Sequence, residues 1–380
     1  MRVQAAPLLF GATWSMSTRG LPPALTDGAV TLQFSASNAL WHGIRQLGLK
    51  PGDKVLFPAY HCGAELDVCL KAGLEAVFYE VDASLAIDWT ALRRLVDEGT
   101  RALFVIHYFG FPAESVQALS LCRDYGLTLI EDCAHALYSR DAGNEACGLT
   151  GDLAVFSLRK FLPVPEGGAL RSSALDSVEP PPAGETLRML RLEAKRCTAD
   201  VDLPIGRRWM ACAARTAGMP FALWHKLIRR GLPPRANDPS LEFAIPGREW
   251  GMSRLSRWIV ERIDHQAVVA RRRENFSALV SRLRSGRKVK PLRPTLPDGV
   301  CPWLCPVLAD DADGLIAYLR RRGIEAASLW REPHPLWRFG RFTAAERLKR
   351  QAVALPIHQD LTLDQMRFVA EEVGKWEGSP

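Results

Sequence analysis

Four short apolar runs in this chain end in side chains able to do chemistry: Pro58 to His61, His107, Glu131 to His135, and Ser157 to Lys160. LTLIEDCAHAL (127–137) carries a wholly apolar strand pattern straight into an acidic pair, which puts Asp132 at a strand end with His135 about one helical turn later. A carboxylate placed there can hold a proton on a ligand; it can equally cap a helix or close a loop ion pair. The next run, GDLAVFSLRKFLPVPEGGAL (151–170), sets Ser157 and Lys160 in the loop leaving the sheet, ahead of Gly167 and Gly168. A lysine amine that loses its proton is both nucleophile and base. Arg159 cannot replace it, because a guanidinium stays protonated.

The elements that must position these residues alternate. The runs 54–60, 75–82, 101–110, 127–137 and 153–160 read as strands, and AELDVCLKAG, DWTALRRLVDEG and ESVQALSLCRDYG between them read as helices. Strand and helix in turn are what parallel βαβ units require, and apolar, β-branched strands are buried on both faces. The fold class expected is α/β, an open, doubly wound, mostly parallel sheet, whose ligands bind beyond the carboxyl ends of the strands.

From 174 to 250 the pattern changes to a proline-rich stretch and then an Arg- and Trp-rich one. Residues 203–232 read either as a basic amphipathic helix on a membrane surface or, the reading we favour, as a helix packed on protein. MSRLSRWIVERIDHQAVVARRRENFSALVSRL, from Met252, reads as one long amphipathic helix joining two domains. The expected division is a large domain, 1–250, with 174–250 as a variable insertion, and a small α+β domain, 251–380. CPWLCP (301–306) reads as a strand segment.

Composition narrows the function classes. A chain of 380 residues, 47% hydrophobic and 24% charged, is an ordinary globular protein. The net charge of +7 suits an anionic partner, but no nucleic-acid motif accompanies the arginines, so nucleic-acid binding is not expected. Nine cysteines without CxxC pairs indicate reduced thiols and no metal knuckle. Neither a signal peptide nor an apolar run of about 20 residues is seen, and a cytoplasmic location is expected.

Taken in order, SASNAL, GDKVLFPAYHC, AVFYEVD, IHYFGFPAES, IEDCAHAL, GLTGDLAVFS, Lys160, EGGAL, RRRENF and LPIHQDLTLDQM resemble the DegT/DnrJ/EryC1/StrS family of pyridoxal-phosphate (PLP) enzymes, largely nucleotide-sugar aminotransferases, from about Gln33 to Trp376. The resemblance implies the fold type I architecture of PLP transferases and a homodimer with the active site near the subunit interface. It implies that Lys160 bonds to the cofactor, that Asp132 pairs with the protonated pyridine nitrogen, and that His135 lies near the phenolic oxygen. It places Ala36, Ser37 and Ser157 at the phosphate, although Ser37 also reads as an N-cap and Ser157 as a loop serine. The ring that stacks on the cofactor falls among Tyr60, His61 and Cys62; the family's aromatic position holds Cys62, so Tyr60 or His61 is expected to take the role. The substrates implied are an amino donor, by analogy glutamate, and a nucleotide-linked keto sugar in polysaccharide or other glycan synthesis.

One departure marks a divergent branch. Lys160 comes only three positions after Ser157, where the family commonly has five, while the distance on to Glu166 is kept. The family's dehydratases carry His in place of the lysine, which this chain does not. Another PLP reaction on a sugar, or a PLP-fold binding or regulatory protein, is the alternative.

Overall fold

The computed structural model describes residues 1, 3–7, 13, 20–26, 29–173, 178–189, 247–283, 286–337 and 340–378. Segment 203–232 therefore lies outside the described residues. Seven strands form the larger sheet: β1 (Val30–Gln33), β2 (Lys54–Pro58), β3 (Glu75–Tyr79), β4 (Thr100–Ile106), β5 (Thr128–Asp132), β6 (Leu153–Ser157) and β7 (Gly168–Arg171). Their order is β1-β7-β6-β5-β4-β2-β3. β2 to β6 pair in parallel, whereas β7 runs against both β6 and β1. β1 thus shares the direction of the parallel strands, and all of these open their carboxyl ends on one edge.

Both faces of the sheet are covered. Along β6, Leu153 and Val155 join one apolar cluster while Ala154 and Phe156 join the other, as side-chain alternation in a buried strand demands. The helices α1 (Ala36–Gln46), α2 (Ala64–Lys71), α3 (Trp89–Arg93) and α4 (Ser115–Tyr125) fill the crossovers. Helix α1 starts because the Ser35 hydroxyl accepts the Asn38 N–H, and α4 stops at Gly126 in the left-handed region. The cap of α1 is Ser35; Ser37 sits in the first turn.

The stretch expected as one long helix is two, α5 (Arg254–Val260) and α6 (His265–Leu283). The break lies at Asp264, whose carboxylate accepts the Ala267 N–H and so starts a new helix, while its own N–H goes to Thr13 O. CPWLCP is likewise mostly loop. Strand β9 begins only at Cys305 (Cys305–Ala309), because the N–H of Trp303 is taken by Phe109 O instead of a sheet neighbour. The second sheet, β8 (Val289–Pro291), β9, β10 (Ala327–Ser328) and β11 (Ala352–Leu355), is antiparallel in the order β10-β11-β9-β8. Helices α7 (Ala312–Arg321), α8 (Thr343–Gln351) and α9 (Leu363–Glu377) accompany it. Residues 1–180 and 239–380 group as one compact unit, and a domain boundary at 250/251 remains a proposal.

Within that unit one buried cation ties the segments together. Arg272 on α6 is 1% exposed and donates to Gln359 Oε1 (2.8 Å), Trp303 O (2.7 Å), Phe161 O (3.4 Å) and Lys160 O (3.5 Å). Gln359 Nε2 adds a bond to Phe161 O (2.8 Å). A planar fork with five donors can reach several acceptors at once, which an ammonium on a flexible stem cannot. We expect Arg272→Lys to lose about 3 kcal/mol, the cost of leaving one or more buried carbonyls unpaired, read as a lower urea midpoint; an unchanged midpoint would show that the carbonyls do not depend on the fork.

Candidate active site

β6 delivers Lys160 through a single tight turn, Leu158–Lys160. Its amine lies 4.9 Å from the centroid of the Trp303 ring. Asp132 closes β5, the neighbouring strand, in register with Val155. It is 8% exposed, and its Oδ1 accepts the Ala134 N–H at 2.8 Å. Burial and the nearby Glu65 carboxylate push Asp132 up to about 6, with Lys160 working against them. A ligand that brings a positive charge to this carboxylate is therefore favoured.

His135 is buried and stacked on Trp303 (4.2 Å, 20°). Burial, then the charge of Lys160, holds the imidazole well below its ordinary value, so it is neutral. The Phe109 N–H donates to Nδ1 (3.3 Å), which leaves the proton on Nε2. That Nε2 is buried without a hydrogen-bond partner among the described residues: a donor aimed at something the chain itself does not supply. Phe109 is held at φ 60° to present its N–H, a strained conformation for a non-glycine residue.

The phosphate candidates meet through register. Ser157 pairs with Gly168, and Gly168 with Gln33, just before α1. A Cβ on Gly168 would fall on the main chain of Ser35 and Ala36. Glycine thus lets β7 touch the start of α1 and brings Ala36 and Ser37 to the strand that pairs with Ser157. Free amides at a helix N-terminus beside hydroxyls suit a phosphate. Pyridoxal phosphate, the cofactor implied by the resemblance, fits these residues: a buried carboxylate for a protonated ring nitrogen, an orphan donor at His135, a lysine amine, and a glycine-made cradle.

The loop after β2 arranges its three candidates differently. Tyr60 is turned into an aromatic cluster, its ring 4.8 Å from that of Trp330 and its hydroxyl donating to Leu329 O. His61 is stacked parallel to Phe78 at 5.7 Å, and the charges it feels are those of Lys349 and His334. Cys62 is the member that feels Lys160. Its thiol, pushed up by burial and by Glu65, donates to Glu65 Oε2 at 2.6 Å. Of the three, Cys62 is the one whose thiol feels the charge of Lys160, and Tyr60 and His61 are engaged in the aromatic cluster. The adjacent acid of the strand end, Glu131, is structural: it accepts from His107, Ser115 and the amides of Thr150 and Gly151.

Four neighbours escaped the reading of the sequence. Glu65 and Lys349 lie on helices whose polar residues pass for solvent-facing ones; Lys349 is nonetheless 2% exposed, burial bringing it down to about 8, and donates to His61 O and Trp330 O. Trp303 and Arg272 come from far along the chain, and only the RRRENF piece of the resemblance pointed towards the latter.

Residues 26–176 match the DegT/DnrJ/EryC1/StrS aminotransferase family. A dTDP-4-dehydro-2,3,6-trideoxy-D-glucose 4-aminotransferase of Saccharopolyspora spinosa is 27% identical over 354 residues, 90% of this chain and 82% of that one. A UDP-N-acetyl-3-dehydro-alpha-D-glucosamine 3-aminotransferase of Acidithiobacillus ferrooxidans is 32% identical over 136 residues, 36% of each chain. Among solved structures, Helicobacter pylori PseC, an aminotransferase involved in the biosynthesis of pseudoaminic acid, superposes with a TM-score of 0.67 at 20% identity, covering 97% of this chain and 94% of its own; it shows the fold. No helix among the described residues is long and apolar enough to cross a membrane.

The raised Asp132 gives a pH signature in the protein without cofactor. A carboxyl whose folded value exceeds its unfolded one contributes stability that is present below about pH 4 and lost as pH rises through 6. Asp132→Asn removes that loss. The variant should equal wild type near pH 4 and exceed it by up to about 3 kcal/mol near pH 7.5, seen as a higher melting temperature; a variant less stable at pH 7.5 would contradict the assignment.

Proposed function

We propose that the chain is a pyridoxal-phosphate-dependent aminotransferase of the DegT/DnrJ/EryC1/StrS family, which it matches over residues 26–176, and that it moves an amino group from glutamate to a nucleotide-linked keto sugar for glycan synthesis, working as a cytoplasmic homodimer. The observation that carries the reading is the convergence on one sheet edge of Lys160, the buried Asp132, the unpartnered His135 Nε2 and the Gly168 cradle. The relatives' substrates, a dTDP-linked 4-dehydro sugar and a UDP-linked 3-dehydro sugar, support the substrate class.

When bound, the cofactor supplies an electron sink for the pair left behind when a substrate carbon loses its proton. Asp132 keeps the ring nitrogen protonated, so the sink stays electron-poor. His135 Nε2–H would be the donor for the ring oxygen, and being neutral it would add no charge there. Ala36, Ser37 and Ser157 hold the phosphate. Lys160 Nζ would be the base that takes a proton from one carbon and returns it to another. Trp303 and His135, stacked on one another, line one side of that amine. Cys62, at the position of the resemblance's aromatic residue, would meet the cofactor as a protonated thiol bonded to Glu65.

The test is conversion. Protein loaded with pyridoxal phosphate, given glutamate and a panel of dTDP-, GDP- and UDP-linked keto sugars, should form an amino sugar and 2-oxoglutarate in equal amounts. Lys160→Ala should lose the activity by at least about a thousandfold. Turnover with glutamate and a plain keto acid but with none of the sugars would contradict the substrate class while leaving the chemistry.

A further inference from the structure

The amine of Lys160 must wait somewhere whenever it is not bonded to the cofactor, and it must wait within reach of the reacting carbons. Among the described residues no hydrogen bond or ion pair from Lys160 Nζ is seen; what faces it is the π-surface of Trp303 at 4.9 Å, inside the roughly 6 Å over which a cation is drawn to an indole face. That residue is held through its main chain and one face of its ring. Its N–H main-chain group donates to Phe109 O (2.9 Å) and its carbonyl accepts from Arg272 (2.7 Å). Its plane lies on His135, whose Nδ1 is pinned by the Phe109 amide. Gly110, at φ 99°, allows the approach: a Cβ there would collide with Cys301 O and the start of Trp303. The same Arg272 holds the carbonyl of Lys160, so the ring and the amine share one anchor.

We propose that Trp303 is a positioning residue for transamination: its indole face holds the free, proton-bearing amine of Lys160 beside the reacting centre between proton removal and proton return. This rests on the reading of the protein as an aminotransferase, but the hold on the amine belongs to the chain alone. An ammonium on an aromatic face keeps its charge without a carboxylate partner that would compete for the proton. Water, the alternative resting place, would let the proton exchange away.

Two measurements test it on Trp303→Leu, which keeps apolar bulk, and Trp303→Phe, which keeps a ring. In protein without cofactor, brief labelling with an amine-reactive acyl reagent followed by peptide mass mapping should modify Lys160 severalfold faster in Trp303→Leu than in wild type, with Trp303→Phe close to wild type. In loaded protein, the single-turnover rate with glutamate should fall about two- to thirtyfold in Trp303→Leu, the range a lost cation–π contact implies. Apparent affinity for glutamate should change less than the rate, and Trp303→Phe should recover most of it. Equal labelling in all three proteins, or a Trp303→Phe as slow as Trp303→Leu, overturns the proposal. Should Trp303→Leu fail to fold, Trp303→Met supplies the ringless comparison. If wild type takes up no cofactor, the labelling comparison still reads the indole's hold, so the two failures separate.

Discussion

A guanidinium buried among main-chain carbonyls is the constraint on which the site depends. Arg272 arrives from α6 and bonds the carbonyls of Lys160, Phe161 and Trp303 together with the amide of Gln359. Without it, a turn leaving the large sheet, a loop entering the second sheet and the segment after β11 would each carry buried acceptors with no donor. With it, their positions are mutually fixed. Burying the charge has a cost, since a desolvated cation is unfavourable unless its donors are satisfied. The arrangement offsets that cost by spending the fork on neutral acceptors.

That scarcity of free charge shapes the chemistry. Around Lys160, His135 is held neutral by burial and Cys62 is a thiol bonded to Glu65, while Asp132 is a buried carboxylate whose charge is disfavoured by burial and by Glu65. A site with these properties is under-compensated until a cation-bearing ring enters it, and electrostatics then works for binding. The low local dielectric that raises Asp132 is also what makes its charge effective once it faces a protonated nitrogen.

The strand ends were legible because apolar runs in a parallel sheet stop where the ligand edge begins. Asp132, His135, Ser157 and Lys160 follow from that rule and from the resemblance, and the structure gathers them on one edge. The cap of α1 fell two residues early, at Ser35, because Ser35 and Ser37 are equally suited by type and only backbone geometry separates them. The division of the long helix at Asp264 was hidden because amphipathic periodicity runs on through a polar residue that starts a new helix. The loop from Tyr60 to Cys62 could not be ordered from sequence, since which of three neighbours faces the lysine depends on the aromatic cluster and on Lys349. Long-range partners such as Trp303 leave no local pattern at all.

The central claim is that Lys160, and not another amine, carries the cofactor. Lys349 is the informative competitor, since it is buried within the surroundings of the same loop and burial brings it down to about 8, where a lysine amine is readily nucleophilic. Wild-type protein incubated with pyridoxal phosphate, reduced with borohydride, digested and mapped by mass spectrometry decides between them. The account predicts a stoichiometric phosphopyridoxyl adduct on Lys160 alone; an adduct on Lys349, labelling spread over surface lysines, or none would contradict it.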